Sequence, residues 1–164
     1  MSLARISTIG GYGFTEQTFL RALEQYGVDT LVDVRQRRGL RGTRYSFLNS
    51  RHLQAILAKA GIRYLHAIEL APTRSIRLDQ KRADSDAGVA KRERQALSPV
   101  FIERYTTEVL SQANLERLRE NLGDANTVAL FCVELEPQAC HRSLAAQFLA
   151  NVFEIQEPVH NLMP

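Results

Sequence analysis

A chain of 164 residues with 45% hydrophobic and 24% charged residues is the size of one domain with a full core. No apolar run is long enough to span a bilayer, and the N-terminus Met1-Ser2-Leu3-Ala4-Arg5 has no signal-peptide core, so no membrane partner and a cytoplasmic location are expected. The formal net charge of +3 is mild but unevenly spread, and the 2 cysteines are expected to stay reduced in such a compartment.

Leu3 to Ile9 reads as a first strand, closed by Gly10-Gly11-Tyr12-Gly13. That turn lacks both the dinucleotide fingerprint and the P-loop Lys-Ser/Thr, and no cofactor is expected. Its glycines still let backbone approach a ligand, and Tyr12 could stack on a base or cover the sheet end. Gly10 and Tyr12 are therefore candidate substrate contacts. Thr15 predicts an N-cap, Phe19, Leu20 and Leu23 a buried stripe, and Gly27 the helix stop. Asp29 to Arg35 is the second strand, apolar enough at Leu31, Val32 and Val34 for burial on both faces.

Asp33 and Arg35 lie two apart on that strand and so share a face. Either they pair with each other, or Asp33 serves as a base or orienting group and Arg35 as an anion clamp. Arg37, Arg38, Arg41 and Arg44 follow, interleaved with Tyr45 and Phe47. Guanidinium suits bidentate grip on phosphate and rings suit base stacking, so a solvated loop is the weaker reading.

Asn49 or Ser50 caps a helix that buries Leu53, Ile56, Leu57 and Ala60 and ends at Gly61; Ile62 to His66 is a third strand. Residues 71 to 97 are polar and carry a second cationic cluster that includes Arg74, Arg77, Lys81, Lys91 and Arg94. They read as a functional or mobile insertion in a single domain spanning 1–164. Ser98-Pro99 predicts one long helix to Gly123, with Ile102, Tyr105, Val109, Leu115, Leu118 and Leu122 inward. Thr127 to Val133 is the fourth strand, Cys140 to Val152 the last helix, and Pro158 to Leu162 a short edge strand. This alternation predicts an α/β fold: a mostly parallel sheet of four to five strands with helices on both faces, a Rossmann-like or flavodoxin-like three-layer sandwich. The Gly-rich turn, Asp33, Glu69, Cys132 and Glu134 would then all converge on the carboxyl rim of the sheet.

The densest chemistry lies between Cys132 and Arg142. A helix opening with Cys140-His141-Arg142 favours thiolate and attracts anions, making Cys140 a candidate nucleophile and Arg142 an anion contact. Glu134 shares a face with Cys132 and could orient His141 as an acid or base. Cys132, Glu134, Cys140 and His141 are also zinc-ligand types, but adjacent helical residues such as Cys140 and His141 diverge by about 100°. No metal site is assigned on this basis.

Thr8-Ile9-Gly10 with Tyr12-Gly13, Leu31-Val32-Asp33-Val34-Arg35, Gly61-Ile62-Arg63-Tyr64-Leu65, Cys132-Val133-Glu134 and Cys140-His141-Arg142 resemble, in order, the family catalogued as domain of unknown function 488. The resemblance implies a prokaryotic cytosolic α/β domain and no particular activity. Family members often carry a proline after Asp-x-Arg and a Leu-Gly-Gly after the third strand. This chain has Gln36-Arg37-Arg38-Gly39 and Leu70-Ala71-Pro72 there. The function expected is catalysis or recognition of a phosphate-bearing substrate, a nucleotide or nucleic acid. Asp33, Glu134, Cys140 and His141 are the candidate catalytic groups, and Gly10, Tyr12, Arg35, Arg37, Arg38 and Arg142 the candidate contacts. A non-catalytic nucleic-acid-binding module and a cysteine-based sulfur-transfer or redox enzyme are the alternatives.

Overall fold

The structure, a computed structural model, describes residues 2–164. Its elements in chain order are β1 (Arg5–Gly10), α1 (Glu16–Tyr26), β2 (Thr30–Asp33), α2 (Ser50–Lys59), β3 (Arg63–His66), α3 (Arg74–Ala87), α4 (Pro99–Arg104), α5 (Leu115–Leu122), β4 (Thr127–Cys132), α6 (His141–Val152) and β5 (His160–Leu162). The strands form one sheet in the order β3-β2-β4-β1-β5, every pairing parallel. This is the expected three-layer α/β sandwich. Its strand order matches neither the 3-2-1-4-5-6 nor the 2-1-3-4-5 arrangement of the two common doubly wound folds.

Local chemistry explains the individual elements. The hydroxyl of Thr15 accepts from the Thr18 backbone N–H at 3.2 Å, and Thr18 Oγ1 accepts from Thr15 N at 2.9 Å, a reciprocal cap at the start of α1. Gly27 ends that helix in the left-handed region at φ 76°, which glycine alone adopts without strain. β4 is buried at every position, as befits a central parallel strand covered on both faces.

Right-handed crossovers put α1 and α2 on one face of the sheet, and α3–α5 and α6 on the other. The packing agrees. Phe131 of β4 meets Phe19 of α1 at 5.5 Å between ring centroids, whereas its neighbour Cys132 points to the opposite face, toward α6.

The long helix expected from Ser98 to Gly123 is broken. Ser98 does cap α4, with proline at its first turn, but α4 passes into one π-helical turn over Tyr105–Val109 and a 3-10 turn over Leu110–Gln112. Hydroxyls that bond back to carbonyls one turn earlier loosen the ladder here: Thr107 to Glu103 at 2.9 Å and Ser111 to Thr107 at 2.6 Å. Ala113 is extended, and Asn114 Oδ1 accepts from Arg117 N at 3.0 Å to cap α5 as a new helix. Phe101 and Tyr105 therefore face the core, and Ile102, expected inward, is 38% exposed.

The 71–97 stretch contains α3, capped by Thr73, with Ile76 and Gln80 buried against the body. Gln80 Oε1 accepts from Ser98 N at 2.8 Å, which ties α3 to the start of α4.

Phe19 is fully buried and meets the edges or faces of Phe14, Phe47 and Phe131, so it joins α1 to the sheet. Phe19→Ala should cost about 3–5 kcal/mol of stability, read as a lower urea midpoint with an unchanged slope.

Candidate functional site

Adjacent strands β2 and β4 send their following connections to opposite faces of the sheet, and open α/β sheets bind ligands at such a switch point. A cavity of about 590 Å³ opens at this place. The residues after β2, the α3–α4 segment and the β4–α6 connection form its walls.

Cys132, Cys140 and His141 meet at the cavity's floor, each at least nine-tenths buried, with their donor atoms all within 4.8 Å of one another. The divergence expected for adjacent helical residues does not occur. Cys140 stands outside the helix as its N-cap, at φ −137° and ψ 141°, so its side chain turns back toward that of His141. Cys140 Sγ lies 3.9 Å from His141 Nδ1, and His141 Nε2 lies 2.7 Å from the carbonyl oxygen of Val34, just past β2. A carbonyl can only accept, so Nε2 carries a proton and, in the neutral ring, Nδ1 presents its lone pair to the sulfurs. Tyr105, set by the π turn, packs edge-on against His141 at 5.4 Å and donates its hydroxyl to Leu70 O at 2.6 Å.

The two thiols are free and unlike. Cys132 S–H donates to Glu134 Oε2 at 3.2 Å, and the Cys140 sulfur lies within 4.8 Å of it. The neighbouring Cys140, reinforced by burial and the Glu134 charge, pushes the Cys132 thiol well up. Burial alone would raise Cys140 too, but the neighbouring Cys132 with the charges of His141 and Arg142 outweighs it and holds Cys140 well below the ordinary thiol range. For His141, burial pulls down, but its contact with Cys140 wins and the ring's pKa is raised.

The walls are strongly cationic. Arg35, Arg37, Arg77, Lys81, Lys91 and Arg94 line the cavity against the carboxylates of Asp84 and Glu134 alone. Both carboxylates are taken by Arg94, which reaches Asp84 at 2.7 Å and Glu134 at 3.3 Å, and Lys91 adds a contact to Glu134 at 3.4 Å. Among the described residues Arg77 forms no salt bridge, and its buried Nε lacks a hydrogen-bond partner. Burial first, then repulsion from Arg37 and Arg74, lowers its pKa. Arg77, Lys91 and Arg94 stood out in the sequence only as a charged cluster. The length of the polar connection that carries them was the signal that could have marked them as site residues.

Of the other residues singled out from the sequence, Asp33 and Arg35 pair with each other. Arg35 Nε and Nη2 donate to the Asp33 oxygens at 3.0 and 2.9 Å, and Tyr64 donates to the same carboxylate at 2.6 Å. Arg35 still lines the cavity, and its Nη1 is left without a partner. Arg38 turns away to the Tyr64 hydroxyl at 3.3 Å, and Arg41 and Arg44 are exposed beyond the cavity. Tyr12 lies outside it too, packed on Tyr45 at 5.0 Å with the Arg92 guanidinium 4.8 Å above its ring. Arg142 is wholly buried and donates to the carbonyls of Glu134 at 2.6 Å and Leu135 at 3.2 Å, so it braces the loop instead of reaching the cavity. Gly10 sits beneath that brace, where an added Cβ would come within 2.1 Å of Glu134 O.

Gly10→Ala must therefore push the β4–α6 loop off the sheet. It should cost about 1–3 kcal/mol and raise the exposure of Cys140, read as faster alkylation in the folded protein. Asp33→Asn leaves Arg35 buried without its counter-charge and should cost about 3–5 kcal/mol in urea unfolding. The double variant Asp33→Asn/Arg35→Gln should recover part of that loss.

Among the described residues no helix is long and apolar enough to cross a membrane. Neither the curated proteins nor the solved structures contain a match to this chain. The family model described as Domain of unknown function DUF488 does match, over residues 15–149. That span begins after Gly10 and Tyr12 and takes in β2, the cationic walls, both cysteines, His141 and Arg142. The chain belongs to this family, domain of unknown function DUF488.

Proposed function

We propose that this protein is an enzyme acting on a phosphate-bearing substrate of about nucleotide size, a free nucleotide or the end of a nucleic acid, bound in the cavity beside β2 and β4. The observation that carries this reading is the excess of cation on the cavity wall: Arg37 and Arg77 face it without a carboxylate partner among the described residues, while Arg94 and Lys91 absorb the carboxylates present. Holding guanidinium groups together against their repulsion is unfavourable unless an anion joins them. Phosphate, with several acceptor oxygens, suits the forked donors of arginine.

A volume of about 590 Å³ is within the range of small-molecule sites and fits a nucleotide, whereas a duplex would need an open groove. Arg37 and Arg77 would grip the phosphate, with Arg35 Nη1 as a further donor. Asp33 acts here as a positioning residue that holds Arg35. The Cys132, Cys140 and His141 cluster at the floor is where bond-making groups are nearest the ligand. A cytoplasmic setting is part of the reading, since it keeps the paired thiols reduced.

Calorimetric titration with inorganic phosphate and a nucleoside monophosphate tests it. Binding should weaken as salt rises, and Arg77→Ala should lower affinity about 10- to 100-fold, the value of one or two charge-assisted hydrogen bonds. Arg44→Ala, outside the cavity, should bind like wild type. Salt-independent binding, or an Arg77→Ala protein as tight as wild type, would overturn the proposal.

A further inference from the structure

We propose that Cys132, Cys140 and His141 form a three-ligand zinc site at the floor of the cavity, with the fourth coordination position open to the bound anion. The open position's role rests on the anion reading above; the ion site rests on the three donors themselves.

The donor set is the first argument. Two thiolates and an imidazole are borderline-soft ligands that favour zinc among common divalent ions, and three protein ligands with one position free is the arrangement of catalytic zinc. The charges also balance. Two thiolates, a neutral imidazole and Zn²⁺ sum to zero, so the assembled centre carries no net charge into a buried site. Binding the ion takes the protons from the thiols to solvent.

Geometry is the second argument. Around a tetrahedral zinc, sulfur and nitrogen ligands stand about 3.5–3.9 Å apart, given bonds of about 2.3 and 2.0 Å. Here all three donor atoms lie within 4.8 Å, with Cys140 Sγ and His141 Nδ1 at 3.9 Å. A small inward movement of side chains would close the set. The outer contacts are also those of a ligating histidine. Such rings characteristically donate their second N–H to a carbonyl or carboxylate, as His141 Nε2 does to Val34 O at 2.7 Å. That bond leaves Nδ1 free and aimed at the sulfurs.

The third argument is accessibility from one side only. Cys132, Cys140 and His141 are each at least nine-tenths buried and all line the cavity, beside the loop that Arg142 braces. Glu134 lies beside them but is held by Arg94 and Lys91, and it loses the Cys132 S–H as a donor when that thiol binds the ion, so it is not counted among the ligands. The remaining position would open into the cavity that the cationic residues also line. An ion there would polarise an anion's oxygen held by Arg37 and Arg77.

The test is titration of the full, reduced chain with cobalt(II), whose tetrahedral thiolate complexes show visible d–d bands and near-ultraviolet sulfur-to-cobalt charge transfer. We expect one equivalent to bind and zinc to displace it. Cys132→Ser and Cys140→Ser should each lose part of the charge-transfer intensity, and His141→Asn should shift the d–d bands. Inorganic phosphate added to the cobalt protein should shift those bands further, and Arg77→Ala should abolish that second shift while leaving cobalt uptake intact. Wild-type protein that takes up no cobalt overturns the site without any variant, as does charge transfer that survives in the Cys132→Ser/Cys140→Ser double variant. If cobalt fails to bind but calorimetry still finds phosphate, the metal site falls and the anion pocket stands. If cobalt binds with the expected bands but phosphate neither shifts them nor binds, the metal site stands and the anion pocket falls.

Discussion

The arrangement of the site depends on one buried cation. Arg142 is fully sealed from solvent, has no carboxylate partner among the described residues, and donates Nη1 and Nη2 to the carbonyls of Glu134 and Leu135 while its Nε stays unpartnered. Hydrogen bonds from a charged donor contribute about 1.5–3 kcal/mol each, against the several kcal/mol that burying the charge costs. What they secure is the path of the chain between β4 and α6. The loop is drawn down over Gly10, which has no Cβ to oppose it, and Cys140 is delivered in an extended conformation at the mouth of α6. Without that path Cys132 at a strand end and Cys140 at a helix start would not share a cavity floor.

Of the charged groups that line the cavity, some are tied within the protein and others are left free. Asp33 is saturated by Arg35 and Tyr64, and Arg94 binds Asp84, Glu134 and the carbonyl of Ala139. These pairs fix walls. Arg77 Nε and Arg35 Nη1 have no such partner among the described residues, and buried polar groups without partners are rare in folded proteins. The contrast within one cavity between tied carboxylates and free guanidinium groups is what gives it a sign.

The π turn in the α4 region belongs to the same design. One residue more than an α-helical turn brings Tyr105 beneath His141, while its hydroxyl anchors to Leu70 O from the 71–97 side of the site. Such turns are rare and concentrate at functional places. The polar 71–97 connection thus supplies Arg77, Lys91 and Arg94 to one wall, and the π turn holds the imidazole from behind.

The elements themselves were legible in the sequence because their causes are local. Thr15 and Gly27 bound α1, Ser98-Pro99 opens α4, and strand-helix alternation implies a parallel sheet. Polar residues after β2 and β4 therefore had to gather on one rim. That Asp33 and Arg35 share a face followed from strand geometry, but whether they served each other or a ligand did not, since both outcomes use the same spacing. Tertiary contacts decided the rest. Inserting β4 between β2 and β1 brings Val34 to His141, a contact across more than a hundred residues that no local propensity encodes. Breaking the 98–123 helix turns on hydroxyl back-bonds and on a competing cap at Asn114, each too small to outweigh helical periodicity until the body of the fold fixes both ends. Arg142 reads from its place at a helix start as an anion contact; only the closure of the loop above it, a matter of packing, makes it a brace.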